Sequence, residues 1–224
     1  MKTGTGEHAI DVRAKFSLVQ ERANAATHGI GAVLAVPALA LLVGAASRRG
    51  DAWHIAAFSI FGSSMILLYL ASTIYHATQD PDRKRIFEMF DHAAIFILIA
   101  GSYTAFALTV LRGSTGWWLF GAIWAIAVVG IYIETKSMNR RPMATLFTYL
   151  AMGWLIALVW KPLSSAASKD TLVFLLAGGL SYTFGTVFYG MGRRWGWFHV
   201  VWHLFVIGGT VCHFLSAMSV LPPA

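Results

Sequence analysis

Apolar residues along this chain fall into seven long runs, at residues 24–46, 52–76, 90–111, 117–134, 143–160, 171–191 and 198–220. Each is close to the ~20 residues that an α-helix needs to cross the hydrocarbon of a bilayer. The breaks between them, at 47–51, 77–89, 112–116, 135–142, 161–170 and 192–197, hold the turn formers and most of the charge. Backbone groups in lipid must be satisfied within their own segment, so spans of this length are helices. The pattern therefore predicts an all-α, integral membrane bundle of seven transmembrane helices over residues 24–220, preceded by a polar segment, 1–23. No second domain, internal repeat or low-complexity stretch fits between the runs.

Composition agrees, since a chain that is 57% hydrophobic and only 12% charged has too little polar residue to coat a soluble globule. Residues 1–23 carry Glu7, His8, Asp11, Arg13, Lys15, Glu21 and Arg22 with no apolar run. That is not a secretory signal, and the first span is expected to direct insertion. The net charge of +7 lies in short loops, which reads as topology signalling, with no nucleic-acid partner.

Counting Lys and Arg on alternate sides gives the orientation. Lys2, Arg13, Lys15, Arg22, Arg83, Lys84, Arg85, Lys136, Arg140, Arg141, Arg193 and Arg194 share one side, against Arg48, Arg49, Arg112, Lys161 and Lys169 on the other. The excess predicts a cytoplasmic N-terminus and an extracytoplasmic C-terminus. Tryptophans near span ends, such as Trp53, Trp117 and Trp160, fit an interfacial aromatic belt and carry no expected chemistry.

The polar residues inside the runs are the informative ones, because polar side chains are costly in lipid. His28, His76, His92, His199 and His203 all fall near span ends that connectivity places on one face of the membrane. His199 and His203 are an i, i+4 pair on one helical face, a spacing with which one helix offers two imidazoles to a single ion. His76, at the end of the second span, supplies a third nitrogen at the same face. Ser72 lies one turn from His76, and Asp91 opens the third span after a connecting loop. Cys212 is the only cysteine, so a metal here must use His and carboxylate ligands. Three histidines with a fourth position left for water is the arrangement of a catalytic zinc site.

These blocks resemble the hemolysin III family, the bacterial branch of the progestin and adipoQ receptor superfamily. The resemblance rests on Glu21-x-x-Asn24-x-x-Thr27-His28-x-x-Gly31, Ser72-x-x-Tyr75-His76, Asp91-His92 running on to Gly101-Ser102-Tyr103-Thr104, and His199-x-x-x-His203 with a later His213-Phe214. It covers the chain from about residue 20 to the end. It implies seven helices with a cytoplasmic N-terminus in the bacterial inner membrane, and a zinc ion held by His76, His199 and His203 with Asp91 and Ser72 around its water. Receptor relatives and the similar alkaline ceramidases imply hydrolysis of a lipid amide.

The leading expectation is thus a zinc-dependent intramembrane hydrolase of a lipid amide or ester, with membrane lipids as its partners. Asp91 would accept a proton from the water, and Ser72 would position that water or stabilise the oxyanion. Acyl chains would enter by a lateral opening between helices. A non-enzymatic regulator whose helices are tied by zinc uses the same ligands and stays open as a second reading. A cytolysin would need a pore that the runs do not suggest, and bis-histidine haem ligation by His76 and His203 fits the neighbouring Asp and Ser less well. Glu21, Asn24 and His28 are expected around the ligands rather than among them. His92 should turn away from Asp91 to pair elsewhere, and His213, ~15 Å deeper than His203 at helical rise, could line a cavity, though packing is the better reading. Pro37 should kink the first helix, and Gly178, Gly179, Gly185 and Gly190 should permit close helix approach.

Overall fold

A computed structural model describes residues 16–137, 142–192 and 194–222. Residues 1–15, with Lys2, Arg13 and Lys15, lie outside the described residues, as do Arg140, Arg141 and Arg193, so half of the basic residues counted on the N-terminal side are not placed. The described residues form eight α-helices and no strand: α1 Leu18–Arg49, α2 Ala52–Ala77, α3 Pro81–Ala107, α4 Ser114–Ser137, α5 Pro142–Trp154, α6 Trp160–Ala166, α7 Lys169–Gly192 and α8 Trp197–Met218. Seven spans are long and apolar enough to cross a membrane, the fifth being α5 and α6 joined through a 3₁₀ segment, Leu155–Val159.

Helix ends depart from the apolar runs wherever capping decides the boundary. α1 begins at Leu18, ahead of the run at 24, because the Ser17 side chain and Gln20 form a reciprocal capping box. The long loop expected at 77–89 shrinks to a few residues. Asp80 accepts from the Arg83 N–H and Pro81 occupies the first turn, so α3 starts some ten residues before its apolar stretch. Charged residues such as Arg83, Lys84 and Glu88 are good helix formers that a hydropathy reading assigns to a loop. Pro37 lies inside α1, which runs on to Arg49. At the other end of the bundle, Asp51 caps α2 and pairs with Arg112; hydrogen bonds from His54 and then Arg112 hold its carboxyl well below the usual carboxylate range.

α1 packs against α2 and α8, α2 against α3, α3 against α4, and α7 against α8, which brings the first, second, third and last spans around a common interior. Phe58, Phe61 and Met65 of α2 and Phe106 of α3 are buried in the half of the bundle away from the start of α1, while Phe96 packs on Gly130 of α4 and Tyr149 of α5. The fifth span touches its neighbours less and is held largely by polar bolts. Tyr103 Oη lies 2.8 and 2.7 Å from the carbonyl oxygens of Met152 and Gly153 and accepts from the Ile156 N–H at 2.8 Å. One hydroxyl thereby satisfies the backbone groups released where α5 gives way to the 3₁₀ segment, which otherwise would be stranded in hydrocarbon. Tyr149 Oη donates to the His92 carbonyl, Thr145 to Glu134, and Trp154 Nε1 to Thr183. Because this span stands off from the rest, a cavity of about 130 Å³ lies between it, α3, α7 and α8.

Candidate metal centre

α2 ends, and α8 begins, at the face where α1 starts. His76 lies in the last turn of α2, His199 in the first turn of α8 and His203 one turn deeper. All three are buried, with one ligand nitrogen from each lying within 4.8 Å of the others. Their ring centroids form a triangle, His76 to His199 at 5.2 Å, His76 to His203 at 5.1 Å and His199 to His203 at 4.7 Å.

Two of the rings are fixed by bonds to α1. His76 Nδ1 lies 2.7 Å from Glu21 Oε2, and a carboxylate at that position accepts, so Nδ1 carries the proton and Nε2 the lone pair. That Nε2 is buried and has no hydrogen-bond partner among the described residues. His203 Nδ1 lies 3.0 Å from Thr27 Oγ1, whose own proton is directed to the carbonyls of Asn24 at 2.8 Å and Ala23 at 3.1 Å. The hydroxyl must then accept from His203, which again leaves the lone pair on Nε2. Metal-bound imidazoles are held in this way, the far N–H given to a carboxylate or another acceptor so that tautomer and orientation are set. The orphaned His76 Nε2 and the two fixed tautomers fit a divalent ion such as zinc, which these three nitrogens would hold.

Glu21 is itself balanced by Lys84 Nζ, 3.1 Å from Oε1, while the same ammonium bonds the carbonyls of Tyr75 and Thr78 and sits over the Tyr75 ring. A Lys–Glu–His relay thus joins the start of α3 to the centre. Phe16 covers it on the outer side, its ring 4.8 Å from His199 and 6.0 Å from His76. His28 does not join the ligands; it stacks on His203 with centroids 3.6 Å apart and planes 12° from parallel. His92 turns to α4, with Nδ1 2.8 Å from Glu134 Oε1.

Asp91 and Ser72 line the cavity together with His199 and His203. Ser72 Oγ is buried and has no partner among the described residues. His213, for which packing was the favoured reading over cavity lining, lines the same cavity at its deep end. Thr27, Lys84, Phe16 and Glu134 were not singled out from the sequence as neighbours of the site. Thr27 carried a signal, in that it falls within the same α1 block as Glu21, Asn24 and His28; the others come from segments whose contacts are set only by tertiary folding.

Exchanging Glu21 for Gln leaves a neutral amide beside His76 and releases Lys84. Such a change is expected to weaken metal affinity about 10- to 100-fold, the usual effect of losing a hydrogen-bonded carboxylate behind a ligand. Competition against a chromophoric chelator in detergent measures it, and an unchanged affinity would separate Glu21 from the metal.

A helical bundle with seven apolar spans and a buried, metal-competent trio of histidines belongs to the polytopic membrane proteins whose polar centre sits near one membrane face. Residues 16–214 match the family model described as Haemolysin-III related, and the chain belongs to that family. It is 43% identical over 206 residues to "Hemolysin-3" of Bacillus cereus, covering 92% of this chain and 94% of that protein. It is 41% identical over 203 residues to "Hemolysin-3 homolog" of Bacillus subtilis, covering 91% and 95%. A more distant similarity, 29% over 217 residues, reaches "Monocyte to macrophage differentiation factor" of Homo sapiens, covering 93% of this chain and 87% of that protein. No solved structure matches the chain. Family and spans together describe a multi-pass membrane protein of the bacterial plasma membrane.

Proposed function

We propose that this protein is a zinc-dependent hydrolase that cleaves an amide or ester bond in a membrane lipid, near the cytoplasmic leaflet. The supporting observation is the continuity of one cavity from His199 and His203, past Asp91 and Ser72, to an apolar chamber lined by Leu98, Phe106 and Val206. In this reading a lipid sets its polar linkage at the histidines and directs its chain into the chamber, which widens from about 130 Å³ as the loosely held fifth span gives way. A bound zinc ion supplies Lewis acidity, which polarises a carbonyl and makes water acidic near neutral pH.

The chain's own residues supply the rest. His76, His199 and His203 bind as neutral ligands, and three protein nitrogens leave the coordination shell open. The Asp91 carboxylate takes the proton of the attacking water and returns it to the departing amine or alkoxide. The Ser72 hydroxyl, which no described protein group engages, donates to the oxygen on which negative charge develops. Phe16 shields the centre from bulk water, which strengthens every electrostatic interaction within. The cytoplasmic placement follows the excess of basic residues on the side where α1 begins.

Purified protein in nanodiscs is expected to release free fatty acid from at least one member of a panel of N-acyl and O-acyl lipids, to stop on chelation, and to resume on adding zinc. A panel untouched by zinc-loaded protein would favour a second reading, in which the ion only ties α2 to α8 and the bundle acts as a regulator. That reading draws on the placement of the three nitrogens across two helices. Lysis is not proposed, since the described spans surround a mostly apolar cavity rather than a polar channel.

A further inference from the structure

Polar chemistry does not end at the three histidines. The buried face of α8 runs His199, His203, Val206, Thr210, His213, alternating steps of four and three residues that keep one stripe toward the interior. Two polar centres therefore share this seam, separated by one apolar turn at Val206. His213 lies ten residues past His203, or ~15 Å at helical rise.

The deep centre is built rather than incidental. His213 is pressed against Gly178 of α7, where a Cβ would overlap the Cδ2 atom of its ring. Tyr182 of α7 is pressed in turn against Gly209 of α8, where a Cβ would stand 2.8 Å from the ring. The two rings meet edge to face at 5.3 Å. Each helix thus gives up a side chain to seat a polar ring from the other, and both His213 and Tyr182 line the cavity. Thr210 Oγ1 donates to the Val206 carbonyl at 2.9 Å, so at 2.8 Å it accepts from Tyr182 Oη, whose oxygen keeps its acceptor capacity. His213 Nδ1 is buried without a partner among the described residues.

An unpartnered nitrogen in hydrocarbon is costly unless something answers it. The requirement is for a group that donates, since the Tyr182 oxygen accepts and the imidazole, which gives its one proton to the Leu175 carbonyl, accepts at Nδ1. A hydroxyl meets that requirement on one atom.

We propose that His213 and Tyr182, the latter held in place by Thr210, form a second subsite in the cavity, which binds a hydroxyl group carried on a lipid chain whose polar linkage rests at the three-histidine centre. The proposal rests on the lipid reading of the cavity, though not on hydrolysis. With C–C bonds of about 1.5 Å, a zigzag chain covers the distance between the two centres in roughly twelve carbons. The subsite would let the protein favour mid-chain hydroxylated lipids over plain ones of the same length. An ordered water can offer the same hydroxyl chemistry, and the two sources are separable by experiment.

The test measures binding of octadecanoic acid and 12-hydroxyoctadecanoic acid to the full-length, zinc-loaded protein in nanodiscs, by displacement of a fluorescent fatty acid. Wild type is expected to prefer the hydroxy acid about tenfold, the worth of one good buried hydrogen bond. His213→Leu and Tyr182→Phe should each bring the ratio close to one by weakening the hydroxy acid alone. Tyr182→Phe keeps the ring on Gly209, so it remains informative if His213→Leu folds poorly. Equal binding of the two acids by wild type would overturn the proposal and assign the deep centre to water. Binding of neither acid would remove the lipid reading of the cavity and the subsite with it. A hydroxyl preference in a protein that hydrolyses nothing would leave the subsite standing and remove only the hydrolase.

Discussion

Purified in detergent without chelator, the wild-type protein is expected to carry about one zinc per chain, and the His199→Ala, His203→Ala double variant to carry none. The two removed imidazoles are the pair that α8 contributes from successive turns, and His76 alone cannot hold the ion. The variant should also be measurably less stable. A ligand present at about 100 times its dissociation constant stabilises the folded state by ~2.7 kcal/mol, and for a chain of this size each kcal/mol moves the midpoint by roughly 2–4 °C. Adding zinc to stripped wild type should therefore raise its unfolding midpoint by about 5–10 °C, with no such response from the double variant. Mass spectrometry for metal content and a thermal shift assay in the same detergent read both effects. Metal-free wild type that ignores added zinc would exclude both the zinc hydrolase and the zinc-tied regulator. Full zinc occupancy in the double variant would place the ion elsewhere.

Sequence reasoning reached the three histidines that converge here because each sits where a rule of spacing or connectivity applies. His199 and His203 are one turn apart, and His76 must meet them because α2 ends where α8 begins. It did not reach Thr27 or Lys84, whose roles depend on how α1 and α3 pack against α2 and α8. Nor did it foresee the broken fifth span: the 155–159 stretch is itself apolar and free of Pro and Gly, and Pro162, which cannot donate to the Leu158 carbonyl, falls in the loop that the apolar pattern predicts next. The break is stabilised from outside, by Tyr103 on α3 supplying the bonds the helix gives up. Apolar periodicity records which segments enter the bilayer and carries no information on a backbone irregularity offset by a distant side chain. His213 shows the same limit, since its distance from His203 and the close approach at Gly178 were readable while the seating of this ring on that glycine was not.

The residues that hold no metal discriminate an enzyme from a zinc-tied scaffold. Asp91→Asn keeps the size of the side chain and removes the carboxylate proposed to take up the proton, and on that proposal is expected to lower turnover about 10²- to 10⁴-fold, the range for loss of general acid–base catalysis. Ser72→Ala deletes one hydroxyl from the cavity wall, with an expected loss of roughly 10²- to 10³-fold if its proton supports the developing oxyanion. Neither change touches the three ligand nitrogens, so zinc content should stay near the wild-type value in both variants. Ser72→Ala should also cost little stability, because in the folded protein that hydroxyl bonds to no described protein group. The pair of readouts carries the argument: turnover lost with zinc retained is the signature of residues acting on substrate. Turnover unchanged in both variants would remove Asp91 and Ser72 from the chemistry. Zinc lost from Asp91→Asn would make the carboxylate part of the metal's own support, and the open coordination position would no longer follow from counting three histidines.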